Sequence, residues 1–178
     1  MALDNNIIQE KISAKFGDRV SDFRMEEGML VFDVDASVVK ELLVFVKDDE
    51  TLRFNFLTDL CGIHYPDNDK SRQFAVVYHL HNWIDNVRIR IKTYLDGDKP
   101  EIDTVTEVFM AANWMERETF DFFGIIFKGH PNLKKILNDE AMTSFPMRKE
   151  YPLEDSQRTD KDDRFFGRTP NNDQFNAK

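Results

Sequence analysis

The chain has 178 residues and a formal charge of −9, and 41% of its residues are hydrophobic, which predicts one folded domain with a sizeable core. Its acidic balance argues against direct binding to nucleic acid or anionic lipid, because both need basic patches. Its longest purely apolar run, residues 42–46, is far shorter than the roughly 20 residues that cross a membrane, and its single cysteine fits a reducing compartment, so we expect a soluble cytoplasmic protein.

The first fifty residues predict two helices with a strand hairpin between them. Apolar side chains recur at helical spacing over residues 5–16 and again over residues 38–49. Ser37 is the expected N-cap of the second helix. Between the helices, residues 19–36 predict two short strands that turn at residues 26–28, where a glycine favours a tight hairpin.

Three more strands follow, and the last shows the clearest alternation. In "VRIRIKTYL" the apolar side chains point one way, while Arg88, Arg90 and Lys92 point the other way, either into solvent or toward an acidic neighbour. Polar outward residues favour an antiparallel or mixed sheet with one wet face. We therefore predict an α+β fold, a two-layer sandwich with helices on one face of a mixed sheet, in the order helix-strand-strand-helix-strand-strand-strand. The three predicted strands cover residues 52–56, 74–80 and 87–95.

The chain changes character after residue 100. Thr104 with Glu107, and Asn113 with Glu116, are spaced as capping boxes, and they predict two short helices, the second ending at Gly124. Residues 155–178 are polar and lack periodicity, which predicts an extended tail that does not fold alone. The organisation expected is an α+β domain over 1–100, a region of short helices and partner contacts over 101–154, and the tail.

Carboxylates concentrate in the second of these short helices. Glu116, Glu118 and Asp121 could run general acid–base catalysis if their environments separated their pKa values. Capping by Glu116 and an ion pair between Arg117 and Asp121, four residues apart, account for most of these charges without catalysis. We therefore favour a structural interpretation.

Other chemistry is weaker in this sequence. His79 and His81 share a strand face, but a metal site needs three or four ligands, and the remaining histidines stand in unrelated contexts. Cys61, expected just after a strand, could be a nucleophile beside a histidine, although a buried small residue is commoner. No glycine-rich loop of the phosphate-binding or dinucleotide-binding kind is present in the sequence.

Four stretches together carry a resemblance to a known family. They are "NWMERE" at 113–118, Asp121 followed by Phe-Phe-Gly, "GHPNLKKIL" at 129–137 and "PMRKEYPLE" at 146–154. This long pattern resembles the signature of the thirty-kilodalton subunit family of respiratory complex I, the proton-pumping NADH:quinone oxidoreductase. Met147 and Glu150 depart from that pattern, since family members often carry Leu and Asp there, and Ser144 and Phe145 replace an expected Gly-His.

The resemblance implies a cofactor-free scaffold in the peripheral arm of that complex, on the cytoplasmic face of the bacterial inner membrane. NADH, FMN, iron–sulfur clusters and quinone would belong to partner subunits, especially the quinone-site subunit and those carrying the terminal clusters. The motif residues would then be structural or interfacial, and the last three would begin an arm that crosses a partner. They are Glu116, Arg117, Glu118, Asp121, Gly124, His130, Pro131, Arg148, Lys149 and Tyr151.

Two other functions remain open from the sequence. The first is the equivalent subunit of a related membrane-bound hydrogenase-type complex, which this subunit's sequence barely distinguishes from the NADH-dependent one. The second is a stand-alone hydrolase that uses Glu116, Glu118 and His130. Neither alternative requires a cofactor in this chain.

Overall fold

The structure, a computed structural model, describes residues 3–151, so the predicted tail lies outside the described residues. The helices in this part of the chain are α1 (Asn5–Phe16), α2 (Val39–Asp48) and α3 (Ala112–Phe123). The strands are β1 (Val20–Glu26), β2 (Met29–Val34), β3 (Phe56–His64), β4 (Phe74–Asn82), β5 (Val87–Leu95), β6 (Glu101–Asp103) and β7 (Ile126–Lys128). The predicted order of two helices and five strands over the first hundred residues is confirmed.

Five strands form one mixed sheet in the order β1-β2-β5-β4-β3. Only β2 and β5 run parallel in it, and each of the other neighbouring pairs is antiparallel. Strands β6 and β7 form a separate parallel pair. The predicted α+β class with a mixed sheet is therefore confirmed.

The core lies between one face of this sheet and the helices. Alternate strand residues such as Leu30, Ile89 and Tyr78 are buried there, against the apolar sides of α1 and α2. Helix α3 joins the same face, because a Cβ atom added at Gly62 of β3 would lie 2.7 Å from the ring of Phe123. The absence of a side chain at Gly62 lets α3 approach the strand closely.

The opposite face of the sheet carries charge, but much of that charge is paired within the chain. Glu26 of β1 contacts Arg90 at 3.2 Å and Lys92 at 3.5 Å. Arg24 contacts both Glu26 at 2.6 Å and Asp33 at 3.4 Å. The basic side chains of β5 thus find their acidic neighbour on β1, two strands away in the sheet.

Two sequence predictions in this domain are wrong. The strand predicted at 52–56 begins only at Phe56: Phe54 donates its backbone N–H to Val46 O at 2.9 Å, and Arg53 has a positive φ of 45°, so the chain turns against the end of α2 before β3 begins. Ser37 is not an N-cap, because its hydroxyl and N–H both donate to Asp35 Oδ1 at 2.7 and 2.8 Å. Tertiary burial and a local turn outweigh propensity at both places.

Candidate functional site

Helix α3 carries most of the predicted site residues, and its start differs from the prediction. Residues 104–111 form turns rather than a helix, and α3 begins at Ala112 without a side-chain cap. Asn113 therefore lies inside the helix, and the capping box that it was predicted to form with Glu116 is wrong. The end of the helix at Gly124 is confirmed, with a left-handed φ of 72° and an N–H that donates to Phe120 O.

Glu116 points into the protein interior and is completely buried. Its carboxylate accepts a hydrogen bond from the Thr104 hydroxyl at 2.5 Å and another from the Val105 N–H at 2.7 Å. Burial raises the pKa of Glu116 to about 7, although the hydrogen bonds from Thr104 and Val105 pull it in the other direction. Glu116 therefore joins the start of the 104–111 loop to α3.

His130 lies beside Glu116, with its Nε2 atom 4.0 Å from Glu116 Oε2 and its side chain fully enclosed. Its Nδ1 atom accepts the N–H of Asn132 at 3.0 Å, so the ring proton is on Nε2, where it donates to Asn113 O at 3.1 Å. Both nitrogens are thus occupied in the neutral ring. Pro131, the next residue, is exposed.

Arg117 and Asp121 do not form the predicted ion pair. Arg117 instead donates to two backbone carbonyls, Lys134 O at 3.1 Å and Lys135 O at 3.2 Å. Asp121 accepts the backbone N–H groups of Ile136, Leu137 and Asn138 at 2.8–3.0 Å. Helical spacing permits the pair, but both side chains turn to a distant segment that offers several hydrogen bonds.

Asp121 is strongly stabilised as a carboxylate by this arrangement. A fourth donor, Asn138 Nδ2, lies 3.0 Å from Oδ1. Burial by itself would raise the pKa of Asp121, but the hydrogen bonds from residues 136–138 outweigh it and lower the pKa to about 2. An acid that stays ionised at any physiological pH is poorly suited to act as a general acid.

Arg148 closes the far end of α3. Its Nε atom donates to Phe123 O at 2.8 Å, and its guanidinium stacks on the rings of Phe74 and Phe145 at 4.9 and 4.6 Å. A Cβ atom added at Gly124 would lie 2.6 Å from Phe145 and 2.7 Å from Arg148 Nη2. Gly124 is therefore required both by its backbone angle and by this close approach.

Lys149 is also tied to its own domain, because its N–H donates to Nδ1 of the buried His64 at 3.0 Å. Residues 134–149, which we name the wrapping segment, thus contact α3 through Arg117 and Asp121 at one end and through Arg148 at the other. Tyr151 follows them and is exposed. An arm of the predicted kind would have to leave the domain after this point.

The residues of the hydrolase alternative do not come together as a site. Glu116 and His130 are neighbours, but Glu118, two positions along α3, is exposed on the opposite side of the helix. Cys61 lies within β3 rather than after a strand, and burial raises its pKa to about 11, which keeps the thiol protonated and weakly nucleophilic.

The two strand histidines are held by other side chains. Arg90 Nε donates to His79 Nε2 at 2.8 Å, and His81 Nε2 lies 3.1 Å from Asn86 Oδ1. Over residues 3–151, no group of three or more His, Cys, Asp or Glu side chains is placed to hold a metal ion. Nothing in the described part of the chain therefore supports the metal site considered for His79 and His81.

Exposed apolar side chains gather where β3 begins. Phe56 lines one groove with Trp83 and a second groove with Met110, and Ile84 follows Trp83 in the β4–β5 turn. Trp83 is 67% exposed and Met110 is 89% exposed. We name these four residues the Phe56 surface, and an apolar group of this size on a charged protein is typical of an interaction site.

Several important contacts were missed from the sequence. Thr104 was expected to cap a helix of its own, Asn138 had no expected role, and His64 was set aside as a residue in an unrelated context. Each acts on a residue at least 12 positions away, namely Glu116, Asp121 and Lys149 respectively. Short-range patterns carry no signal for pairs of this kind.

Comparison with known proteins gives a family match over most of the chain. Residues 32–157 match the model of the 30 kDa subunit of respiratory-chain NADH dehydrogenase. The second C-type subunit of the NADH-quinone oxidoreductase of Rhizobium etli (strain CIAT 652) is 40% identical over 86% of this chain and 80% of its own length. The C-type subunit of Roseiflexus sp. (strain RS-1) is 38% identical over 96% of this chain and 98% of its own length. Other relatives are longer, and only 64% of the C-type subunit of Methylorubrum populi (strain ATCC BAA-705 / NCIMB 13946 / BJ001) is covered.

Two solved structures resemble the fold. A trypsin-resistant fragment (1-134) of Nqo5 has a TM-score of 0.59 and 33% identity, over 72% of this chain and 98% of the fragment. A chain of the membrane-bound sulfane sulfur reductase, an archaeal respiratory membrane complex, has a TM-score of 0.68 and 27% identity, over 83% of this chain and 85% of its own. Among the described residues, no helix has the length and apolar character needed to cross a bilayer.

Proposed function

Because this chain belongs to the family of the 30 kDa subunit of respiratory-chain NADH dehydrogenase, we propose that it fills this position in a proton-translocating NADH:quinone oxidoreductase. It is a structural and assembly subunit of the peripheral arm. Electrons pass from NADH through FMN and iron–sulfur clusters to quinone in partner subunits, and this chain supplies no catalytic group and no cofactor.

One observation carries the structural part of this proposal: the charged motif residues bind the chain's own backbone. Arg117 holds carbonyls of the wrapping segment, Asp121 holds three of its N–H groups, and Glu116 holds the N–H of Val105. Side chains whose donors and acceptors are already occupied in this way are poorly placed to act on a substrate. The motif is better explained as the support of a shaped surface.

The partners that we propose are the quinone-site subunit and the subunits with the terminal iron–sulfur clusters. The Phe56 surface is the contact that we assign to such a partner within the described residues, since its apolar side chains lose contact with water on assembly. As a peripheral subunit, the chain would lie on the cytoplasmic side of the inner membrane and would depend on its partners for membrane attachment.

A second candidate is the equivalent subunit of a related complex that does not use NADH. The observation that favours it is the fold similarity to a chain of the membrane-bound sulfane sulfur reductase, at a TM-score of 0.68. Identity is 27% to that chain, against 40% to the Rhizobium etli relative, so the NADH-dependent complex remains the better proposal.

Affinity purification separates these proposals. The tagged full chain, extracted in mild detergent, should co-purify with NADH- and FMN-binding subunits and with iron–sulfur subunits, as identified by mass spectrometry. Co-purification with hydrogenase-type or sulfur-reducing subunits would support the second candidate. A chain that purifies alone and turns over a substrate would contradict both.

The same purification tests the Phe56 surface. Trp83→Ser combined with Ile84→Ser should lower the yield of co-purifying subunits at least several-fold, because anchor residues of an interface dominate its affinity. Met25→Ser is the matched control, since Met25 is also an exposed apolar residue but lies on β1, at the other edge of the sheet. An equal loss of partners with the control would contradict the assignment of this surface.

A further inference from the structure

Glu116 has no cationic partner in the described part of the chain. No Lys or Arg nitrogen of residues 3–151 lies within 4 Å of its fully buried carboxylate. His130 is the nearest basic group, but its Nδ1 atom accepts the Asn132 N–H, so the ring is neutral. An ionised, unpaired carboxylate in such a place is costly, and a group of this kind takes up a proton instead.

The neighbouring hydroxyl groups can accommodate that proton. A protonated Glu116 can donate to Thr104 Oγ1, while the Thr104 hydroxyl turns to Thr106 Oγ1, which lies 3.1 Å away. The Val105 N–H keeps its acceptor, Glu116 Oε1, in either state. Protonation therefore leaves all of these polar groups hydrogen-bonded, whereas ionisation leaves a buried charge.

From this geometry we propose that Glu116 is a proton-linked latch, whose protonated form holds the 104–111 loop against α3 and whose ionisation loosens the loop. Thr104 and Val105 begin this loop, and Met110 near its end belongs to the Phe56 surface. The latch thus connects a buried proton to the position of an exposed side chain. It acts within the isolated chain, whatever assembly that chain joins.

Few other charges bear on Glu116. Its pKa of about 7, against an ordinary value of 4.5, arises mainly from burial, and the charge of Lys40 acts weakly in the opposite direction. The neighbouring charged and titratable groups are His130 just after β7, Lys40 of α2 with its partner Glu107, the buried Tyr78 of β4, and Asp103 of β6 with its partner Lys128 of β7.

The sign of the pH effect follows from the raised pKa. A carboxyl group that is harder to ionise in the folded state adds stability below pH 4.5, and this stability is lost as the pH rises through about 7. The corresponding change in the folding equilibrium constant is on the order of 100-fold between these limits. His64 and His79 act oppositely, since burial lowers the pKa of each, so the latch must be isolated by a variant.

Titration of the full chain, with ¹³C labels in its glutamate side chains, tests the latch directly. We expect the Glu116 carboxyl carbon to titrate near pH 7 and the Val105 amide resonance to shift with the same midpoint. Titration of Glu116 at or below its ordinary range would overturn the proposal, whether or not His130 becomes doubly protonated.

Stability provides the second measurement. The difference in unfolding midpoint between the wild type and Glu116→Gln, measured in urea, should change steadily from about pH 5 to about pH 8, because the amide mimics the protonated acid without titrating. Glu118→Gln, on the exposed side of the same helix, should track the wild type at every pH. A Glu116→Gln difference that stays constant with pH would overturn the latch.

Discussion

Asp121 illustrates how a single residue can be assigned to the wrong partner while its importance is judged correctly. Its position four residues after Arg117 suggests an ion pair on the helix surface. In the structure its carboxylate is buried and accepts three consecutive backbone N–H groups, which is the arrangement of an anion in a turn of backbone. The role of the residue is to fix the wrapping segment.

Replacing this carboxylate by an amide should destabilise the chain. Asp121→Asn keeps one acceptor, but it removes the negative charge and points an NH₂ group at other donors, which should cost about 2 kcal/mol of the free energy of unfolding. Urea unfolding at neutral pH measures this cost. Asp139→Asn is the matched control, because Asp139 is exposed and accepts one backbone N–H, that of Ala141.

The pH dependence of Asp121 is opposite to that of Glu116. Its pKa is held near 2, below the ordinary value of 3.8, so its stabilising effect is present above about pH 4 and is lost as the pH falls through about 2. The wild type should therefore lose stability over this acidic range more steeply than Asp121→Asn. Equal acid sensitivity of the two proteins would show that the hydrogen bonds do not hold the carboxylate as described.

At the scale of elements, α3 is the part on which the C-terminal region is organised. One side of the helix packs on β3 through Gly62, its start is joined to the 104–111 loop by Glu116, and its end is enclosed by Phe145 and Arg148. The wrapping segment has little regular structure of its own in the described residues. Its conformation is therefore determined by the contacts that α3 provides.

The end of α3 gives a prediction at this scale. Gly124→Ala should destabilise the chain by about 3 kcal/mol, since it adds a Cβ atom at a left-handed position and also displaces Phe145 and Arg148. Gly28→Ala in the β1–β2 turn has a similar φ of 77° but open space around it, so it should cost only about 1 kcal/mol.

Comparing the two glycine variants by urea unfolding separates backbone strain from packing. The excess cost at Gly124 reports the contacts between α3 and the wrapping segment. Equal costs at the two positions would mean that Phe145 and Arg148 move aside freely, and that the wrapping segment is held by Asp121 and Arg117 alone.

For the whole molecule, the described residues include the sheet, all the core side chains named above and the wrapping segment. A chain that lacks residues 155–178 should therefore fold with nearly unchanged stability, because the deletion removes none of the contacts described here. It should also recover fewer partner subunits in affinity purification, since a polar segment without periodicity is typical of one that orders on a partner.

The matched control for this deletion is the full chain carrying a tag of equal length at the same end. Unfolding in urea checks the fold, and mass spectrometry of co-purifying chains checks assembly. A truncated chain that recovers its partners as fully as the control would remove the tail from the proposed interface.

Patterns along the chain were enough to predict the order of helices and strands in the first hundred residues, the end of α3 at Gly124 and the family. Helix α1, strand β5 and the β1–β2 turn depend on the period of apolar residues and on glycine, which act over a few residues. The family pattern is likewise readable as spacing along the chain, and the comparisons confirm it.

The role of each charged motif residue, in contrast, depends on the folded chain. Glu116 bonds to a backbone group 11 positions away and Arg117 to one 18 positions away, and neither partner is implied by helical spacing. The start of β3 and the lack of a helix at residues 104–111 were decided in the same way, by burial against α2 and by Glu116. Contacts between distant segments gain hydrogen bonds and burial that outweigh local propensities of a fraction of a kcal/mol, about 0.5 kcal/mol per residue.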